Sequence, residues 1–328
     1  MFRFLSPGAL TAVAVGVASL AASGCENSVA APGVGASLQT TEALAVLPPD
    51  ADVVGMMDLA AARQSDALSA VTGGAGLQML SPGGSAEFDA FVRQTGFDPG
   101  RDLDRVYLAA PAGAQSATAG RAAFVGYGRF SRERVERFLA TQTEHPLTTT
   151  DVDGVAMYLS TEDGETMGVA FPNDQMVLAG DEATVRQMLA RIGGSGSAPS
   201  ADLQALLDRV AFPDGAWFVA RHLDTADAPT GDDNPAALAA RLSEGVAVSM
   251  DFGRDGVPVR AFVQSTQPAD LADVLRGGVS AARVGAADEP SFLSALDAVE
   301  VDEVTGGVTV EAFLPTALLA EMHADRQP

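Results

Sequence analysis

The chain has 328 residues, 47% of them hydrophobic, and a formal net charge of -23 from 43 acidic and 20 basic side chains. That apolar content supports buried cores and excludes a disordered chain, and the length suits two ordinary domains or one large one. The charge argues against nucleic acid and against docking to anionic lipid through basic patches, because polyanions are repelled by such a surface.

Every basic residue is arginine. Two causes fit: a GC-rich genome that favours arginine codons, and a high-salt habitat that favours hydrated carboxylates over lysine. Either way the charge reads as a signature of genome or habitat rather than as a binding site. Without lysine, a Walker-type phosphate loop, a Ser-x-x-Lys nucleophile and a Schiff-base lysine are all excluded.

In chain order, the first segment is a leader. Arg3 supplies one positive charge, an apolar run follows from Ala9 through Ala22, and Ser23-Gly24 precede Cys25. A basic start, an apolar stretch too short to span a bilayer comfortably, and small residues before a cut site form a secretory signal over 1–24. Ser23-Gly24-Cys25 resembles the lipobox of bacterial lipoproteins, with Ala22 where leucine is commonest. The resemblance implies cleavage and acylation of Cys25, the only cysteine. An acylated Cys25 leaves no thiol for a disulfide, for catalysis or for a thiolate metal site. Glu26, where aspartate signals inner-membrane retention in enteric bacteria, implies the outer membrane in a host that has one. The expected membrane partner is therefore reached through an N-terminal lipid anchor.

Residues 25–42 read as a flexible tether, small and polar without periodicity. The first folded unit is expected over 43–192. Leu47-Pro48-Pro49-Asp50 punctuates a turn before a strand-like run at Val53-Val54. An insertion from about Ala61 to Gly100 contains a helix near Phe88–Val92. Alternation at Val106, Leu108 and Ala110, and again at Ala123, Val125 and Tyr127, predicts two strands. Val135, Phe138 and Leu139 take helical spacing. Asp153-Gly154-Val155-Ala156-Met157 begins a further hairpin whose second strand ends at Phe171. Asp181 reads as the N-cap of a helix carrying Val185, Met188 and Leu189.

A Gly/Ser linker fills 193–201, and a second unit is expected over 202–328. Ala211-Phe212-Pro213-Asp214 opens it as Leu47–Asp50 opens the first. Strands are predicted at Val246, Val248 and Met250 and at Val259, Ala261 and Val263. A helix follows at Leu271, Val274 and Leu275. Val259 and Leu275 lie at one common offset from Ala123 and Leu139, so strand and helix match without a gap, which points to an internal repeat. Asp297–Val301 and Phe313 are the expected counterparts of Asp153–Met157 and Phe171. The fold class read from this pattern is α+β, two related units, each an antiparallel sheet with helices packed on one face.

Candidate chemistry is sparse. His145, His222 and His323 fit no metal spacing, and surface or structural roles are the expectation for all three. No Gly-x-Ser-x-Gly elbow accompanies them, and a hydrolase built on a scattered triad around His222 ranks third among the readings. Asp98, Asp102 and Asp104 gather oxygen ligands, but Pro99-Gly100 and two arginines make a solvated turn the expectation. No cofactor and no metal is expected. Methionines crowd the first unit, and Met56, Met157, Met167 and Met176 are the candidate lining of an apolar cavity beneath its sheet, against the plainer reading as core fillers.

Leu47–Val54, with Thr95-Gly96-Phe97-Asp98-Pro99, resembles a loose group of bacterial envelope proteins with tandem α+β halves and a secretion signal. No activity or site residue carries over from that group. The expected function is non-enzymatic: an anchored envelope protein that binds an apolar ligand or lipid. The alternative is a structural or interaction module presented to another envelope protein.

Overall fold

The computed structural model describes residues 38–67, 86–111, 122–141, 147–162, 165–192, 194, 196, 198–221, 235–253, 255–286 and 289–324. Among them, one compact unit takes 38–60 and 86–200, and the other takes 61–67 and 201–324.

The first unit opens with α1 (Leu38–Val46) and β1 (Val53–Asp58), followed by the short α2 (Leu59–Ala62). Then come α3 (Ala86–Thr95), α4 (Pro99–Asp102), β2 (Leu103–Ala110), β3 (Ala123–Gly128) and α5 (Arg132–Ala140). Four strands follow, β4 (Thr148–Val152), β5 (Val155–Glu162), β6 (Glu165–Ala170) and β7 (Met176–Asp181), and then α6 (Glu182–Arg191). Its strands lie in the order β1-β2-β3-β7-β6-β5-β4, every neighbour antiparallel.

Local sequence explains the helix starts. The Asp181 side chain accepts from Thr184 N–H at 2.9 Å, which satisfies an orphan donor of α6, and Val185, Met188 and Leu189 form its buried stripe. Ser131 caps α5 in the same way, and Val135, Phe138 and Leu139 are its buried face. Around α3 and α5, ring contacts run from Phe88 to Phe91, from Phe91 to Phe97 and Phe138, and from Phe97 through Phe130 to Phe171.

The register sorts the strands into two faces. One row reads Met56, Tyr107, Val125, Leu178, Ala170, Met157 and Thr150 across the sheet. On this face Gly168 leaves room for Leu159, Met157 and Val185 of α6, and Thr40 of α1 meets the Tyr107 hydroxyl at 3.0 Å. Helices α1 and α6 therefore cover it. The next row on the other face reads Gly55, Leu108, Phe124, Ala179, Val169 and Tyr158.

The second unit comprises α7 (Ala201–Leu207), β8 (Ala216–Arg221), α8 (Pro235–Leu242), β9 (Gly245–Met250) and β10 (Gly256–Gln264). It continues with α9 (Pro268–Gly285), α10 (Pro290–Asp297), β11 (Glu300–Val304), β12 (Gly307–Pro315) and α11 (Thr316–Ala324). Strand order is β8-β9-β10-β12-β11, again antiparallel. Leu271 and Ala272 of α9 pack with Val308, and Ala239 and Leu242 of α8 join them. Gly245 lies on the opposite face, where Leu206 of α7 approaches it. Both units are α+β, antiparallel sheets with helices packed against them.

Three details depart from the sequence reading. The stretch assigned to the tether ends in helix, because α1 starts at Leu38; Thr40, Ala43, Leu44 and Leu47 bury one side of it. Asp153-Gly154 is the tight turn between β4 and β5, with φ of 51° and 83°, whereas Asp297 ends α10. Those two positions are therefore not equivalent. The first unit also has four strands after β3 where the second has two after β10, so β7 and β12 occupy matching places and Phe171 and Phe313 do not.

Candidate functional site

Met56, Met157 and Met176 are buried on the α1/α6 face, at 4%, 0% and 2% exposure. Met56 and Met157 share a row but sit five strand spacings apart, about 24 Å. Each fills core locally, as a flexible thioether does. Met167 pairs with Ser160 and Asp181, while Met157 pairs with Ala170, so the two point to opposite faces. The single methionine-lined cavity expected from neighbouring strands does not form around these four residues.

Met167 belongs to a different feature. The second face of the first sheet carries Val53 and Met57 from β1, Val106, Leu108 and Ala110 from β2, Phe124 from β3, and Met167 and Val169 from β6. All eight are half-buried and apolar. Between them lie Gly55, Gly126, Val177 and Ala179, buried and equally apolar, and charge enters at the strand ends, with Glu165 at the start of β6 and Asp181 at the end of β7. An antiparallel sheet with one face on a core normally presents polar side chains on the other. Here the centre of both faces is apolar across five strands, and charged side chains sit towards the strand ends, Asp58 and Arg105 on the core face and Glu165 and Asp181 on the other. The signal was in the sequence: Val53-Val54-Gly55-Met56-Met57 and Val106-Tyr107-Leu108-Ala109-Ala110 are unbroken apolar runs, the pattern of a strand apolar on both sides.

The core face under α1 holds a polar group of its own. Arg105 Nε donates to Asp58 Oδ2 at 2.8 Å, and Tyr127 stands next in that row, its ring edge-on to Tyr107 at 5.9 Å. Burial pushes the Tyr107 hydroxyl up, against the opposing hydrogen bond with Thr40. Burial pushes Tyr127 further, with the Glu42 carboxylate beside its hydroxyl adding to it, and among the described residues that hydroxyl makes no hydrogen bond of ordinary geometry.

The acidic turn is accounted for internally. Asp98 caps α4 by accepting from Gly100 N–H at 3.0 Å, and Asp102 accepts from Asp98 N–H at 2.8 Å and from Arg101 Nη2 at 2.7 Å. Burial opposes ionisation of Asp102, but these bonds and the Arg101 and Arg129 charges outweigh it and hold the carboxyl below its usual range. Among the described residues, no group of three or more His, Cys, Asp or Glu is placed to hold a metal. Cys25, His145 and His222 lie outside the described residues, and His323 falls in α11. No described helix is long and apolar enough to cross a membrane.

No family model and no curated protein matches the chain. Among solved structures it is similar to TP0453. Crystal form III is 10% identical, covering 86% of this chain and 97% of that one at a TM-score of 0.49. Form I is 11% identical, with 86% and 96% coverage and a TM-score of 0.45. Form IV is 12% identical, with 85% and 95% coverage and a TM-score of 0.49.

Proposed function

We propose that the chain is a lipid-anchored envelope protein, tethered through Cys25 and facing the periplasm or cell surface from the outer membrane, that binds the acyl chain of an uncharged lipid without chemical conversion. One observation supports this reading: the apolar centre of the second face of the first unit's strands, from Val53 through Leu108 and Phe124 to Val169. A peptide strand laid flat on such a face would bury N–H and C=O groups without partners, at about 1–3 kcal/mol each. An acyl chain has none to satisfy. The net charge of -23 disfavours an anionic head group beside it.

The test is displacement of the uncharged apolar dye N-phenyl-1-naphthylamine by monoacylglycerols. Each added methylene moved from water to the face contributes about 0.8 kcal/mol, so affinity should rise by up to about fourfold per carbon. Leu108→Ser and Phe124→Ser should weaken dye binding, and Met157→Leu, in the core of the opposite face, should leave it unchanged. Binding that ignores the first two substitutions would refute this site and favour an interaction module instead.

A further inference from the structure

The last strands of the two units differ in character. β11, the last strand of the second unit, is Glu300-Val301-Asp302-Glu303-Val304, and its three carboxylates guard an open edge against other strands. β4, the last strand of the first unit, is Thr148-Thr149-Thr150-Asp151-Val152, and Thr148, Thr149 and Asp151 are exposed. It carries one charge and no proline, and threonine favours extended backbone.

The hairpin geometry decides which backbone groups face outward. Positive φ at both Asp153 and Gly154 defines a two-residue turn of type I′, which closes on Val152 and Val155 as a hydrogen-bonded pair. Pairing then alternates along the ladder, so Thr148, Thr150 and Val152 bond to β5. Thr149 and Asp151 turn their N–H and C=O groups to the open edge, where no described strand pairs with them. Asp151 Oδ1 accepts from Gly154 N–H at 3.1 Å, which holds its charge against the turn.

We propose that β4 is an interaction surface for a second copy of this chain, joined as an antiparallel pair about a two-fold axis through Thr150. Centring on Thr150 sets Thr149 of each copy opposite Asp151 of the other, and both pairs exchange N–H···O bonds, so all four outward groups of each copy are satisfied. Centring on Thr149 would also pair these outward groups, but would set Asp151 of each copy against Leu147 of the other, a charge opposite an apolar side chain that lies outside β4. Centring on Asp151 would set like charges opposite one another, which is destabilising. Centring on Thr150 also places threonine against threonine, a favourable cross-strand pair. The same operation on β11 would oppose Asp302 to Asp302, so of these two end strands β4 is the self-complementary one. The occupant is a like copy because the stretch is nearly neutral in a chain of net charge -23, and its few pairs make the association weak and strengthened by salt.

The test is symmetric disulfide formation in the full chain with Cys25→Ser. Opposed residues of a non-hydrogen-bonded pair have Cα atoms about 4.5 Å apart, within disulfide reach, so Thr150→Cys should crosslink on oxidation, and more so as NaCl is raised. Thr149→Cys, offset by two residues from its own copy, lies beyond about 7 Å and should not crosslink. Adding Thr149→Pro to the Thr150→Cys chain removes one outward N–H from each copy while sparing every bond to β5, and should abolish the crosslink. Absence of the Thr150→Cys crosslink at any salt concentration, equal crosslinking through Thr149→Cys, or indifference to Thr149→Pro would each overturn the proposal.

Discussion

Met157 and Met167 stand on adjacent strands and point to opposite sides of the sheet, because Met157 pairs with Ala170 and Met167 with Ser160. One is fully buried beside Gly168 and Val185, and the other is half-buried on the second apolar face. Their substitutions should therefore separate. Met157→Ala should cost about 2–5 kcal/mol in denaturant unfolding and leave dye affinity unchanged under conditions that keep it folded. Met167→Ser should cost less than Met157→Ala and weaken dye binding. Equal effects of both on stability and on binding would contradict the assignment of faces.

Tyr107 and Tyr127 give a second contrast. Tyr107→Phe deletes a hydrogen bond with Thr40 and should lower stability by about 1 kcal/mol. Tyr127→Phe removes a buried hydroxyl that makes no hydrogen bond of ordinary geometry among the described residues and lies beside the Glu42 carboxylate, and should be neutral or raise the melting temperature. The folded chain holds the Tyr127 proton more tightly than the unfolded chain does. That stability is fully present below the ordinary tyrosine pKa of about 10 and is lost as pH rises beyond it. Tyr127→Phe should therefore flatten the alkaline limb of the stability profile above about pH 10, read by urea unfolding at a series of pH values.

Asp102 acts at the other end of the scale. Its folded-state pKa is depressed, so its contribution is present above the unfolded value of about 4 and is lost as pH falls through the folded one. Asp102→Asn should lower stability at neutral pH, and the gap from the unsubstituted chain should close as the solution is acidified. A gap that stays constant down to pH 2 would show that the carboxylate charge plays no part in holding the turn at Asp98–Asp102.

Much of the architecture was legible where periodicity is strong. Val135, Phe138 and Leu139 of α5, and Val185, Met188 and Leu189 behind the Asp181 cap, are buried as their spacing indicates. Helix α1 was missed because its small residues and threonines hide the period; tertiary partners such as Tyr107 make it a helix face. The candidate face was missed for a different reason. Which side of a sheet a methionine takes depends on register, a one-residue slip reverses it, and register is set by pairing between strands rather than by any one of them. Unbroken apolar runs in β1 and β2 carried the clue, but read singly they are equally consistent with strands buried deep in a core.

Native mass spectrometry of the chain purified from its own membranes tests the central claim most directly. The account predicts an added, uncharged mass that organic solvent releases, present in the unsubstituted chain and in Met157→Leu and absent from the Phe124→Ser and Leu108→Ser variants. A chain that carries no added mass under gentle ionisation, or whose added mass survives both serine substitutions, would contradict a lipid site on the second face of the first sheet.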